Sequence, residues 1–199
     1  MKILFAFLSY LVGAFPTGYI LFRASEKKDI RSFGSRATGA TNVLRLKGWR
    51  YAVPVALVDL LKGFCPAFLA MKIFHDIGFA ALCASLAVVG HCFPVYIGFK
   101  GGKGLSAAGG AMFSLALLPA LLSLVVFIIT VGLTRYVSLG SILAALFFPL
   151  FLWLLQLPAN LVLLSLPILL VILFRHRENM KRLIKGTERK LGQKERIAP

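Results

Sequence analysis

Acidic side chains are scarce in this sequence: 7 Asp and Glu stand against 23 Lys and Arg in 199 residues, a formal net charge of +16. So few carboxylates cannot build the aspartate cluster of a metal-dependent lipid phosphotransferase. No histidine or carboxylate pair has ligand spacing either, so neither metal nor cofactor is expected. Cysteine is nearly absent. Cys65, Cys83 and Cys92 each fall inside an apolar run without a close-spaced partner, which excludes a disulfide framework and predicts buried free thiols. Charge of either sign is short, at 15% of residues, where a soluble domain carries about 25%. With 59% hydrophobic residues and a mean hydropathy of +0.85, a soluble globular domain and a disordered tail are both excluded.

What is present is a series of long apolar stretches, at 3–22, 51–74, 77–97, 105–134, 137–156 and 159–174. They are too long for strands and show no period-two alternation, so they predict membrane-spanning helices. The first is read as a span, not a signal peptide, because no small-residue cleavage site follows it. The pattern describes an all-α polytopic membrane protein, one integral membrane domain over 1–199 with a basic tail at 175–199. Of the 23 basic residues, 20 lie in 23–50, in 98–104, at Arg135 or in the tail. Cytoplasmic loops collect Lys and Arg, and these segments share one side only if 105–134 crosses twice, broken at Leu118-Pro119. The expectation is seven transmembrane helices, two of them short at about 14 residues or ~21 Å each. The N-terminus lies outside and the polar segments on the cytoplasmic face. Basic residues placed between apolar runs answer to topology and anionic ligands, so no nucleic-acid partner is expected.

Four segments carry the polar chemistry. Gly34 to Arg45 combines small residues, hydroxyls, an amide (Asn42) and guanidinium groups, the composition of an oxyanion pocket; the alternative is a juxtamembrane loop meeting lipid headgroups. Gly90 to Gly104 ends in Lys100-Gly101-Gly102-Lys103-Gly104 before an apolar helix, a ready anion site at a helix N-terminus. It is not a Walker loop, because Ile97 replaces the first glycine and Gly104 the Ser or Thr that binds magnesium. Ser138 and Ser141 follow Arg135 as helix caps or pocket residues. In the tail, His176 and Asn179 lie one turn apart on a basic amphipathic helix suited to the membrane surface. Asp59 and Lys62, three apart inside the second span, are read as a pair shaping the bundle, with a role in the site as the alternative, and His75-Asp76 as a solvated outer turn.

Together these segments resemble the bacterial membrane glycerol-3-phosphate acyltransferases that use acyl phosphate as donor. The resemblance rests on Gly34-Ser35 with Gly39 to Arg45, on Gly90 to Gly104, and on His176 to Glu188. Arg36-Ala37-Thr38 departs from it, where many members carry Gly-Asn-Pro. The resemblance implies transfer of a fatty acyl group from acyl phosphate to the 1-hydroxyl of glycerol 3-phosphate in the bacterial inner membrane. The products are lysophosphatidate and phosphate, and this is the entry step of phospholipid synthesis. It implies catalytic roles for Ser35, Arg45 and Lys103. It implies substrate contacts from Thr41, Asn42, His91, Gly101, Gly102, Gly104, Ser141, His176, Asn179 and Glu188.

The residues suit two phosphate-bearing substrates. The Gly101–Gly104 amides with Lys103 can hold one phosphate; Arg45 with Ser141, His176 and Asn179 can hold the other or the glycerol hydroxyls. Which cradle takes which substrate stays open at this point. A soluble-type His–Asp base is excluded, because the fifth residue after each histidine is Ala80, Tyr96 or Lys181. Substrate-assisted proton removal by the donor phosphate competes with His91 or His176 as general base. A small transporter of a phosphorylated metabolite is the alternative class, against which stand the one-sided polar segments and the lack of an inverted repeat.

Overall fold

Proline decides where the first apolar stretch bends. In the computed structural model, which describes residues 1–193, α1 (Lys2–Ala14) stops ahead of Phe15-Pro16 and α2 (Thr17–Glu26) resumes beyond them. Helical geometry is disfavoured for a residue preceding proline. A short α3 (Ala40–Lys47) leads into α4 (Trp49–Phe74) and α5 (Ile77–Cys92). Then come α6 (Leu105–Leu115), α7 (Leu117–Thr134), α8 (Val137–Leu154) and α9 (Ala159–Ile184). Counting α1 with α2 as one, six helices among the described residues are long and apolar enough to cross a membrane, and α6 is a shorter apolar helix beside them.

The 105–134 stretch divides, but at Ala116 (φ −156°, ψ 100°) and not at Leu118-Pro119. Pro119 falls in the first turn of α7, where its missing N–H would have had no helical partner anyway. The expected pair of short helices is therefore corrected to one of 11 residues and one of 18, about 16 and 27 Å long. Leu105 and Ser106 at the start of α6 line the same cavity as Val137 and Ser138 beyond the end of α7. Both ends of the stretch thus meet at one end of the bundle.

The basic segment after 174 continues α9 as one helix, with His176 and Asn179 buried on the same side as Ile168 and Ile172. Of the expected tail, residues 194–199 lie outside the described residues.

Packing is that of a protein in lipid. The interior is filled by small residues such as Ala67, Ala84, Ala107, Ala108 and Ala111, while α7 leaves Leu117, Leu121, Val125, Ile128 and Leu133 exposed. Helices α4 and α6 touch backbone to backbone: a Cβ on Gly63 would strike the Ala107 carbonyl, and one on Gly110 the Leu60 carbonyl. Close approach through small residues replaces the hydrophobic drive that lipid removes. Away from the cavity, Asp76 caps α5 through the Phe79 N–H (3.0 Å) and pairs with Lys2 at 2.7 Å.

Candidate active site

One wall of the cavity is a loop tied by a single side chain. Asn42, on α3, donates through Nδ2 to the carbonyls of Phe33 (3.2 Å) and Ala37 (2.9 Å) and accepts the Ser35 N–H on Oδ1 (2.9 Å). Those ties hold a tight turn in which Gly34 and Arg36 both adopt φ +58°. The turn and α3 present Ser35, Thr41 and Arg45 to the cavity.

The opposite wall is the glycine loop, and its glycines do not behave as expected. The Gly101 N–H donates to the Cys92 carbonyl (3.3 Å) and the Gly102 N–H to the His91 carbonyl (3.1 Å). Arg175 donates from Nη2 to the Gly101 carbonyl and from Nε to the Gly102 carbonyl, both at 2.9 Å, and lies over the Phe93 ring. A Cβ on Gly102 would land on His91 Nε2, and one on Gly101 on the His91 carbonyl and Pro94. Neither glycine lines the cavity. The expectation that their amides face a phosphate is corrected, because those amides are already bonded and both residues are small for packing reasons.

What the loop does present is Lys103, Gly104, Leu105 and Ser106. Gly104 (φ +89°) starts α6 without a side-chain cap, so the first N–H groups of the helix are open to an anion. Burial pulls the Lys103 amine down to about 8; Glu188 opposes the fall, and Arg182, Arg45 and Arg175 add to it.

Helices α8 and α9 close the third side. Glu188, 8% exposed, accepts from Ser138 Oγ (2.8 Å), Asn179 Nδ2 (2.7 Å) and Arg182 Nε (2.7 Å). Burial pushes its carboxyl up, but these three donors outweigh it and hold the group below the usual range. Ser141 Oγ donates to the Val137 carbonyl (2.7 Å), leaving its lone pairs to the cavity. His176 Nδ1 lies 2.9 Å from the Ile172 carbonyl. A carbonyl only accepts, so Nδ1 carries the proton and Nε2 is left as an acceptor.

The cavity, which opens to the outside, gathers Ser35, Thr41, Asn42, Arg45, His91, Lys103, Gly104, Ser141, His176, Asn179 and Glu188, distant in sequence, into one place. It also holds Asp59, whose alternative reading is a role in the site, and Ser106, which no motif singled out. Ser138, weighed as a cap, proves to be a ligand of Glu188. Beside the cavity runs an apolar groove of about 1340 Å³ between α3, α4, α6, α7 and α8. The two share Ala40, Thr41, Leu105, Ser106 and Val137.

A helical bundle with an apolar exterior, a polar cavity lined by Arg45 and Lys103 and an apolar groove sharing residues with it defines an integral membrane protein. The chain belongs to the glycerol-3-phosphate acyltransferase family, whose model matches residues 3–186. It is 41% identical over 191 residues to the glycerol-3-phosphate acyltransferase of Endomicrobium trichonymphae, covering 96% of each chain. It is 42% identical to that of Shouchella clausii, over 93% of each. Among solved structures it is similar to PlsY (YgiH), an integral membrane glycerol 3-phosphate acyltransferase, in the glycerol 3-phosphate form. The TM-score is 0.92 at 38% identity, with 96% of each chain covered. The lysophosphatidic acid form of PlsY gives 0.88 at 37% identity.

Proposed function

We propose that the chain, as a single membrane domain, transfers a fatty acyl group from acyl phosphate to the 1-hydroxyl of glycerol 3-phosphate, releasing lysophosphatidate and phosphate. The observation that carries this reading is the junction of cavity and groove through five shared residues. A phosphate head sits among cations while its acyl chain leaves into an apolar slot. Cations stand on two walls, Lys103 on one and Arg45 on the other, which matches two phosphate-bearing substrates.

The groove runs down α6 from Leu105 to Phe113. The donor phosphate therefore belongs at the head of α6, on the open N–H groups and Lys103, with its chain in the groove. Arg45, Ser141, His176 and Asn179 then receive glycerol 3-phosphate, and Ser35 and Thr41 border both substrates. Asn42 and Glu188 spend their polar atoms inside the protein; they shape the site without touching substrate.

The glycerol oxygen attacks the acyl carbon, the bond from that carbon to the phosphate oxygen breaks, and the hydroxyl proton passes to the leaving phosphate. Because phosphate leaves with a pKa of roughly 6–7, a strong base is unnecessary. Catalysis is positioning and charge stabilisation. The open Nε2 of His176 supports a second route, with His176 as general base. A folded His176→Gln variant with unchanged KM and a lost acidic limb in its pH profile would select that route; a raised KM for glycerol 3-phosphate selects the first.

The test of function is to supply purified protein with acyl phosphate and glycerol 3-phosphate. Phosphate and lysophosphatidate should appear one for one, and acyl-CoA in place of acyl phosphate should give neither. Product from acyl-CoA alone overturns the donor; uptake of glycerol 3-phosphate into proteoliposomes without product replaces the enzyme with a transporter. The same reading has seven crossings of the bacterial inner membrane with the N-terminus outside, and on it the cavity faces the cytoplasm. Lys100→Cys and Arg135→Cys, in a background lacking native cysteines, then label from that one side.

A further inference from the structure

Asp59 and Lys62 are buried inside α4, 2% and 6% exposed, where charge is costly and is retained for a reason. Lys62 Nζ lies 2.8 Å from Asp59 Oδ1 and donates to the Phe15 carbonyl at 2.8 Å, at the break between α1 and α2. Asp59 Oδ1 also faces His91 Nδ1 at 3.7 Å, and it accepts no well-aligned hydrogen bond among the described residues. The Nε2 end of the His91 ring lies against Gly102, and the His91 carbonyl takes the Gly102 N–H at 3.1 Å. An unbroken chain of contacts therefore runs from Phe15 through Lys62, Asp59 and His91 to the residue immediately before Lys103.

We propose that Asp59, held by Lys62, is a positioning residue for the donor: it fixes the His91 ring and through it the path of the loop that aims Lys103 and the head of α6. This rests on the acyl phosphate reading above. At 3.7 Å the Asp59–His91 contact is an ion-pair distance and not a hydrogen bond. Asp59 Oδ1, the atom that Lys62 holds at 2.8 Å, is the one that faces the ring against which Gly102 lies. A pair that served only to join helices would have no need of the His91 contact.

The decisive variant is Asp59→Leu with Lys62→Met, which removes both charges together. Replacing a whole buried ion pair with apolar residues of similar size is often neutral or stabilising, so the protein should still fold and elute as wild type. The expected result is a rise of about tenfold or more in KM for acyl phosphate, with KM for glycerol 3-phosphate nearly unchanged. A structural role alone would lower kcat in proportion to folded protein and leave the donor KM alone. Amide hydrogen exchange at Gly101 and Gly102 should accelerate in the same variant, a readout that needs no turnover. Wild-type donor KM together with wild-type exchange overturns the proposal. Faster exchange in a protein whose wild type never consumes acyl phosphate overturns the functional reading while leaving the positioning intact. If the double variant does not fold, His91→Gln supplies the same two readouts: an unchanged donor KM with unchanged exchange there also overturns the proposal.

Discussion

The two loops that face the cavity are held by opposite means. The 33–39 loop is gripped from within its own segment, since all three of its ties come from Asn42, at most nine residues away. The 98–104 loop is gripped partly from afar: Arg175, 73 and 74 residues along the chain, takes the two glycine carbonyls. The first carries its own scaffold and is complete once α3 forms. The second has local ties to the His91 and Cys92 carbonyls but is completed only when Arg175 of α9 docks, so the wall that carries Lys103 reports on the packing of α9 as well.

Breaking the second loop should cost most. Gly102→Ala puts a methyl onto the buried His91 imidazole, and turnover should fall about 10³-fold, near the upper end for loss of a positioned donor. Steady-state kinetics on protein shown to be folded by size-exclusion chromatography checks it; near-normal turnover would mean that the loop is a mere connector. Asn42→Ala strands two loop groups, the Ser35 N–H and the Ala37 carbonyl, each worth about 1–3 kcal/mol when buried without a partner, while the Phe33 carbonyl keeps the Arg36 N–H. Activity and thermal midpoint should both drop, with faster hydrogen exchange confined to 33–39 and none spreading to 98–104. Arg175→Met is the reciprocal case: exchange should rise at 98–104 alone, and KM for the donor should rise roughly tenfold while KM for the acceptor holds.

Smaller effects refine the picture. With its amine at about 8, Lys103 loses its charge above that pH, so donor kcat/KM should decline through a basic limb near pH 8. Lys103→Arg keeps the charge and should remove that limb at some cost in rate, as the pH profile will show. The smallest change is Arg36→Gly. Arg36 sits at φ +58°, where a side chain costs about 1 kcal/mol that glycine avoids. Thermal unfolding should show a slight gain with activity preserved.

The difference between the loops also explains what was legible in the sequence. Asn42, Arg45 and Lys103 stand in segments whose composition has no structural use between two spans, and the structure brings all three to one cavity. Gly101 and Gly102 read the same way but serve packing, because a sequence cannot tell a glycine that admits a ligand from one that admits an imidazole. Arg175 was one cation among many in a basic run; its partners lie too far along the chain for any local pattern to reveal. The helix break at Ala116 was hidden by Pro119, a residue tolerated in a first helical turn. The run of charge at 175 marked the end of apolar composition but not of α9, since His176 and Asn179 face inward.

The central claim is that cavity and groove are two halves of one site for an acyl phosphate. A non-hydrolysable acyl phosphonate carrying a photoreactive group at the end of its chain tests this directly, with the labelled peptides mapped by mass spectrometry. The account predicts labelling at the floor of the groove, at Met112, Phe113 or Ala120, suppressed by excess acyl phosphate and lost in Lys103→Gln. Labelling instead of outward-facing residues such as Leu163 and Leu170 of α9, indifferent to competitor and to Lys103, would contradict it.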